Sequence, residues 1–196
     1  MITAITAQNT VKVTQIFELS TDLVAAQIDA VMQDIGAQAL KTGMLANAAI
    51  IEVTAAKIRH YDLKNLVVDP VMVAKSGDLL LRTDAIQALR SRLIPLAKVV
   101  TPNLPEAEEL TEMKLTRAKE IEEAARRIIA MGAQNDRYQR WSQKRTGHRL
   151  VFRRQEKSRA PLSPYTHSPH PWHGLHLSAA IAAYLAKGKR SRTPLS

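Results

Sequence analysis

The feature that most constrains this chain is an alternation. Up to Gln134, short β-rich apolar runs take turns with amphipathic helical stretches, and a chain patterned this way closes into a parallel sheet covered by helices. Ile2 to Ala7 reads as a strand, and Asp22 to Ile35 as a helix with Leu23, Ala26, Ile28 and Val31 near one face. Leu40 to Leu45 gives a short strand and its loop, and Ala46 to His60 a helix. Asn65 to Asp69 is a buried strand around Leu66-Val67-Val68, Thr83 to Leu93 a helix, and Lys98 to Thr101 the next strand. A helix from Pro105 to Leu110 carries proline in its first turn, where the missing N–H costs nothing. Thr116 to Met131 follows, with Thr116 as N-cap, Glu120, Glu122 and Glu123 near the positive end, and Gly132 as the stop. The expected fold class is α/β, a mostly parallel central sheet with helices on both faces, and 196 residues suffice for one such domain.

After Gln134 the pattern fails, and the charge changes with it. Residues 1–134 hold 15 Lys and Arg against 16 Asp and Glu, whereas residues 135–196 hold 13 against 2, so the net charge of +10 belongs to the tail. Both tryptophans and five of the six histidines also lie there. Residues 135–176 show neither helical nor strand spacing, and order returns in a helix from Leu177 to Leu185, ended by Gly188. The expected organisation is thus a core over 1–134, an irregular basic segment over 135–176, a helix over 177–188 and a divergent tail over 189–196.

No apolar run approaches the roughly 18 residues of a membrane-spanning helix. The first residues carry no basic run ahead of an apolar one, so a signal peptide is not expected. There is no cysteine, hence no disulfide framework and no thiolate metal site, which suits a reducing, cytoplasmic setting. Taken at face value, the basic tail with Trp141 and Trp172 suggests a nucleic-acid-binding arm, but it matches no module and has no regular aromatic spacing. His167, His170, His173 and His176 recur every third residue, but prolines break the helix that would align them on a metal. Neither nucleic acid nor membrane is an expected partner.

In α/β folds ligands sit at the carboxyl ends of the strands. Four polar segments follow apolar strands here: Gln8-Asn9-Thr10, Lys41-Thr42-Gly43-Met44, Asp69-Pro70-Val71-Met72 and Thr101-Pro102-Asn103-Leu104-Pro105-Glu106. Each alone is most simply a turn. Their order and spacing together resemble the bacterial hydroxymethylpyrimidine/phosphomethylpyrimidine kinases of thiamine biosynthesis, and the likeness runs nearly unbroken from Ile2 to Gly132.

That resemblance implies a ribokinase-like fold and a homodimer. It also implies transfer of the ATP γ-phosphoryl group, with Mg2+, to 4-amino-5-hydroxymethyl-2-methylpyrimidine and then to its monophosphate. Gln8 matches the glutamine that binds the aminopyrimidine ring, whose edge needs both a donor and an acceptor. Met44 and Val71 match positions of the pyrimidine pocket, and Asp69, Asn103 and Glu106 match positions near the ATP phosphates and their Mg2+. A related ribokinase-like kinase of pyridoxal is the rival on the same fold, and Gln8 and Met44 favour the pyrimidine. The family's catalytic Gly-Thr-Gly-Cys turn, expected near Gly174, is missing as written.

The genetic code accounts for that loss. Pro171-Trp172-His173-Gly174-Leu175-His176 is encoded by CCN TGG CAY GGN CTN CAY, which read one base later permits His-Gly-Thr-Gly-Cys-Thr. The same shift over Arg137 to Ser142 permits Val-Ile-Lys-Gly-Gly-His, similar to the strand and loop that follow in the family. A one-base insertion near Gln134 and a compensating loss near Leu177, whether sequencing error or lesion, explain the charge jump and the missing cysteine together. Both ends also read as incomplete against the family pattern. A catalytically dead fragment of such a kinase is therefore the alternative to an active one.

Overall fold

In the computed structural model, the residues described are 1–9, 13–72, 81–132, 152–153 and 173–187, with backbone alone for 152–153 and 173–176. A hairpin opens the chain. Strands β1 (Ala4–Gln8) and β2 (Val13–Glu18) pair antiparallel with Ala4 opposite Glu18, forming a two-stranded sheet of their own. Helix α1 (Thr21–Asp34) follows, then β3 (Leu40–Thr42), α2 (Ala48–His60), β4 (Leu66–Val68) and α3 (Thr83–Ala88). β5 (Val99–Val100), α4 (Leu104–Thr111), α5 (Ala118–Met131), β6 (Phe152–Arg153) and α6 (His173–Ala186) complete the order. The main sheet runs β3-β4-β5-β6. Its first three strands are parallel and β6 is antiparallel to β5.

Helices cover both faces, as expected for α/β. Val68 and Val100 belong to the larger core, where Ile50, Ile51 and Ile58 of α2 meet Leu93, Leu110 and Ile128. On the other face Val67 and Val99 pack under Ala182 and Leu185 of α6. The register sets Lys41 beside Val67 and Val67 beside Val99, so Lys41 shares the face that α6 covers.

Several sequence expectations need correction. The first strand is not in the main sheet: it runs Ala4–Gln8 and pairs with β2, a strand the pattern did not announce. The reason is that neither hairpin strand alternates between core and water, and Phe17 stays 65% exposed. On α1 the buried residues are Val24 and Ile28, whereas Leu23, Ala26 and Val31 face out. Apolar residues lie all round that helix, so the sequence alone did not fix the inward stripe. Residues Leu89–Leu93, read as the end of an α-helix, wind more widely, and the Ile94 N–H donates to the Leu89 carbonyl. The N-cap of α5 is Arg117 rather than Thr116, since the Glu120 carboxylate reaches back to accept from Thr116 and Arg117. Helix α6 starts at His173, four residues before the expected Leu177, and β6 lies inside the segment expected to be irregular. The rest of that segment and the 189–196 tail lie outside the described residues.

Candidate active site

The parallel strands β3, β4 and β5 end side by side, and their carboxyl ends carry three of the four segments picked out by spacing. Backbone bonds continue the ladder past the strands: the Asp69 N–H donates to the Thr42 carbonyl at 3.1 Å and the Thr101 N–H to the Val68 carbonyl at 2.9 Å. This draws Thr42-Gly43-Met44, Asp69-Pro70-Val71 and Thr101-Pro102-Asn103 onto one edge. The fourth segment arrives from the hairpin. The Thr3 hydroxyl donates to the Met44 carbonyl at 2.8 Å, and the Gln27 side chain of α1 holds both the N–H and the carbonyl of Ile2. Glu18 accepts from the side chain of Asn47, which caps α2. The hairpin is thereby fastened to the loop bearing Met44, while Gln8 at the end of β1 remains exposed.

Asp69 is fully enclosed on this edge. Its side chain is 0% exposed, with Lys41 Nζ at 3.4 Å from Oδ2. The Ser178 hydroxyl of α6 donates to the same oxygen at 3.0 Å. A buried carboxylate needs a counter-charge and hydrogen bonds to stay ionised, and these two donors come from β3 and α6. Val71 is held in a tight turn by its N–H donating to the Asp69 carbonyl at 2.9 Å.

Asn103 and Glu106 satisfy each other. The Glu106 N–H donates to Asn103 Oδ1 and the Asn103 N–H donates to Glu106 Oε2, both at 2.8 Å, which is a capping box on α4. Glu106 is 1% exposed. The spacing that suggested a nucleotide site is therefore also a helix start. Gly174 lies in the first turn of α6, and α6 packs on β3 and β4.

Among the described residues no group of three or more His, Cys, Asp or Glu gathers to hold a metal ion. That is compatible with Mg2+, which keeps several waters and arrives on nucleotide phosphates with one or two protein carboxylates near it. Asp69 at the end of β4 and Glu106 in the first turn of α4 supply hard oxygens, the donor type such an ion takes. The four tail histidines lie where no side chain is described. Sequence reasoning gave no role to Lys41 or Ser178. The signal for Lys41 was present, a lysine two residues before a glycine at a strand end, but the partner that gives it meaning is Asp69, 28 positions away.

Solved structures share this fold. A phosphomethylpyrimidine kinase from Clostridium difficile superposes with a TM-score of 0.72 at 33% identity, covering 97% of this chain and 78% of that one. An ADP complex of Bacillus subtilis pyridoxal kinase gives 0.71 at 35%, covering 95% and 70%. The fold is thus that of the ribokinase-like vitamin kinases. Within that class the phosphomethylpyrimidine kinase family model matches residues 1–195, and the chain belongs to that family. The hydroxymethylpyrimidine/phosphomethylpyrimidine kinase of Bacillus subtilis is 46% identical over 134 residues, 68% of this chain and 49% of that protein. The chain spans about half the length of the curated relatives it matches over this stretch. Among the described residues no helix is long and apolar enough to cross a membrane.

Proposed function

We propose that this chain represents a cytoplasmic kinase of 4-amino-5-hydroxymethyl-2-methylpyrimidine and its monophosphate, taking the phosphoryl group from ATP with Mg2+. The observation that carries it is the meeting of the Met44, Asp69 and Asn103 segments on one sheet edge, with the hairpin of Gln8 fastened to the Met44 loop. The Gln8 amide would present a donor and an acceptor to the aminopyrimidine edge, with Met44 and Val71 against the ring. When bound, Mg·ATP supplies the γ-phosphoryl group and the cation that neutralises its charge. Asp69 and Glu106 are buried and each already holds a named donor, so they would act on that cation through its retained waters, with Asn103 keeping Glu106 in place. The first turn of α6, at Gly174, would offer its backbone N–H groups to the developing negative charge.

The out-of-register reading of residues 135–176 belongs to the same proposal. Resequencing the codons for Ala133 to Ser178 is the first test. The second is phosphoryl transfer from ATP to the pyrimidine, its monophosphate and pyridoxal, by this chain and by one carrying Gly-Thr-Gly-Cys restored. Turnover of the pyrimidine by the restored chain, with little or none by this one, supports the reading and describes this chain as a catalytically impaired form. Turnover of pyridoxal alone moves the substrate to the rival class, and no turnover of any of the three by the restored chain overturns the assignment.

A further inference from the structure

Lys41 is placed in an unusual way. It is the middle residue of β3, on the face covered by α6, and its side chain runs toward the carboxyl edge. Its Nζ comes within 3.0 Å of the point where a β-carbon on Gly43 would stand, so the glycine leaves the room the ammonium uses. Asp69 holds it at 3.4 Å, and Ser178 holds Asp69 from the other side at 3.0 Å. The carboxylate is therefore pinned from two elements and cannot swing. The Lys41 side chain keeps 22% of its surface exposed, and Ser178, which shares its partner Asp69, lies on α6. An ammonium has three N–H donors, and among the described residues its one ion pair is with Asp69.

Resting on the kinase reading above, we propose that Lys41 binds the non-bridging oxygens of a phosphoryl group at this edge, and that Asp69 is its positioning residue, itself steadied by Ser178. The phosphoryl group is either the γ-group of the nucleotide or the monophosphate of the pyrimidine, since both present the same tetrahedral oxyanion.

The test is calorimetric titration of the full chain with four probes: Mg2+ with β,γ-methylene ATP, Mg2+ with ADP, the hydroxymethylpyrimidine, and its monophosphate. Lys41→Met is expected to weaken one or both phosphoryl probes by about 10- to 100-fold, the range of one charge-assisted hydrogen bond, and to leave the unphosphorylated pyrimidine within about twofold. Lys41→Arg recovers part of the loss. A loss confined to the methylene analogue, with ADP unchanged, assigns the nucleotide γ-group; a loss confined to the pyrimidine monophosphate assigns the substrate phosphate. Asp69→Asn weakens the same probe with or without Mg2+, and without Mg2+ it adds nothing further in the Lys41→Met background. A further loss in that background without Mg2+ refutes the positioning role. The pair Lys41→Met/Asp69→Asn removes both charges together and serves if Lys41→Met alone does not fold, because it leaves no uncompensated buried carboxylate. A folded Lys41 variant that binds all four probes as the wild type does overturns the assignment while leaving the kinase reading intact. A wild-type chain that binds none of the four overturns this inference, and turnover by the restored chain then decides the kinase reading separately.

Discussion

Breaking the Lys41–Asp69 pair from its two ends should have unequal costs. Lys41→Met keeps the volume of the side chain but takes the Lys41 ammonium away from a 0% exposed carboxylate. Removing one member of a buried pair costs about 3–5 kcal/mol. The Ser178 hydroxyl still donates to Asp69, which brings the expectation to about 2–4 kcal/mol. Asp69→Asn is milder. Its amide oxygen can still accept from Ser178, and the lysine, already 22% exposed, can turn its ammonium into water, so about 1–2 kcal/mol is expected. With both substitutions the buried charge is gone, and the double variant should be more stable than Lys41→Met alone. Urea unfolding at pH 7, followed by circular dichroism, reads all three against the wild type. The reasoning is refuted if Lys41→Met costs no more than Asp69→Asn, or if the two effects add to within about 0.5 kcal/mol.

Further outcomes follow from single features. The Thr54 hydroxyl on α2 is buried with no hydrogen-bond partner among the described residues, so Thr54→Val should raise stability by about 1 kcal/mol in the same urea assay. Leu185→Ala should cost about 2–3 kcal/mol and speed amide exchange in α6 before the larger core, because among the described residues its cluster is small: Val67, Val99 and Ala182, with Ala39 and Ile181 packed against it. Asn103→Ala should cost about 1 kcal/mol through loss of the cap on α4, measured as a lower melting temperature. Four carboxyl groups sit below the ordinary carboxylate range. Asp29 is held down by the Lys57 ammonium and the Tyr61 hydroxyl, Glu112 by Arg90, Glu120 by the Arg117 N–H and the Thr116 hydroxyl, and Glu123 by Arg126. Because folding lowers these values, the unfolded chain binds more protons in the window between the two states. Their stabilisation is thus complete above about pH 5 and lost as pH falls through the lowered folded values. A urea midpoint that held or rose on acidification from pH 5 to 3 would contradict this.

The parallel layer was legible because burial on both faces leaves a short, continuous β-branched run, as in Leu66-Val67-Val68, with few other conformations open to it. The carboxyl-edge segments were legible for the same reason, since polar residues placed straight after such runs have one common address. The hairpin was not, because β2 reads Val-Thr-Gln-Ile-Phe-Glu and takes its order from pairing with β1 rather than from a buried face. The wide turn at Leu89–Leu93 is a matter of backbone register that side-chain spacing does not encode. Asn103 and Glu106 were found as a pair, but their spacing serves a helix cap and a ligand site alike, and only the coordinates show the cap. The Ser178 bond to Asp69 joins positions 109 apart, beyond the reach of any local pattern.

That separation also orders events in time. A nascent chain that has just released β5 already holds β3, β4, Lys41 and Asp69, but the helix that covers Val67 and Val99 is still unmade. Until α6 leaves the ribosome, Val67 and Val99 lack that cover, with a carboxylate at the carboxyl edge beside them. Lys41 is then the partner already at hand, so the ion pair guards Asp69 through synthesis and Ser178 closes over it last. Anything that delays or garbles the distal third of the chain would lengthen the interval in which that bare apolar face can meet another copy of itself.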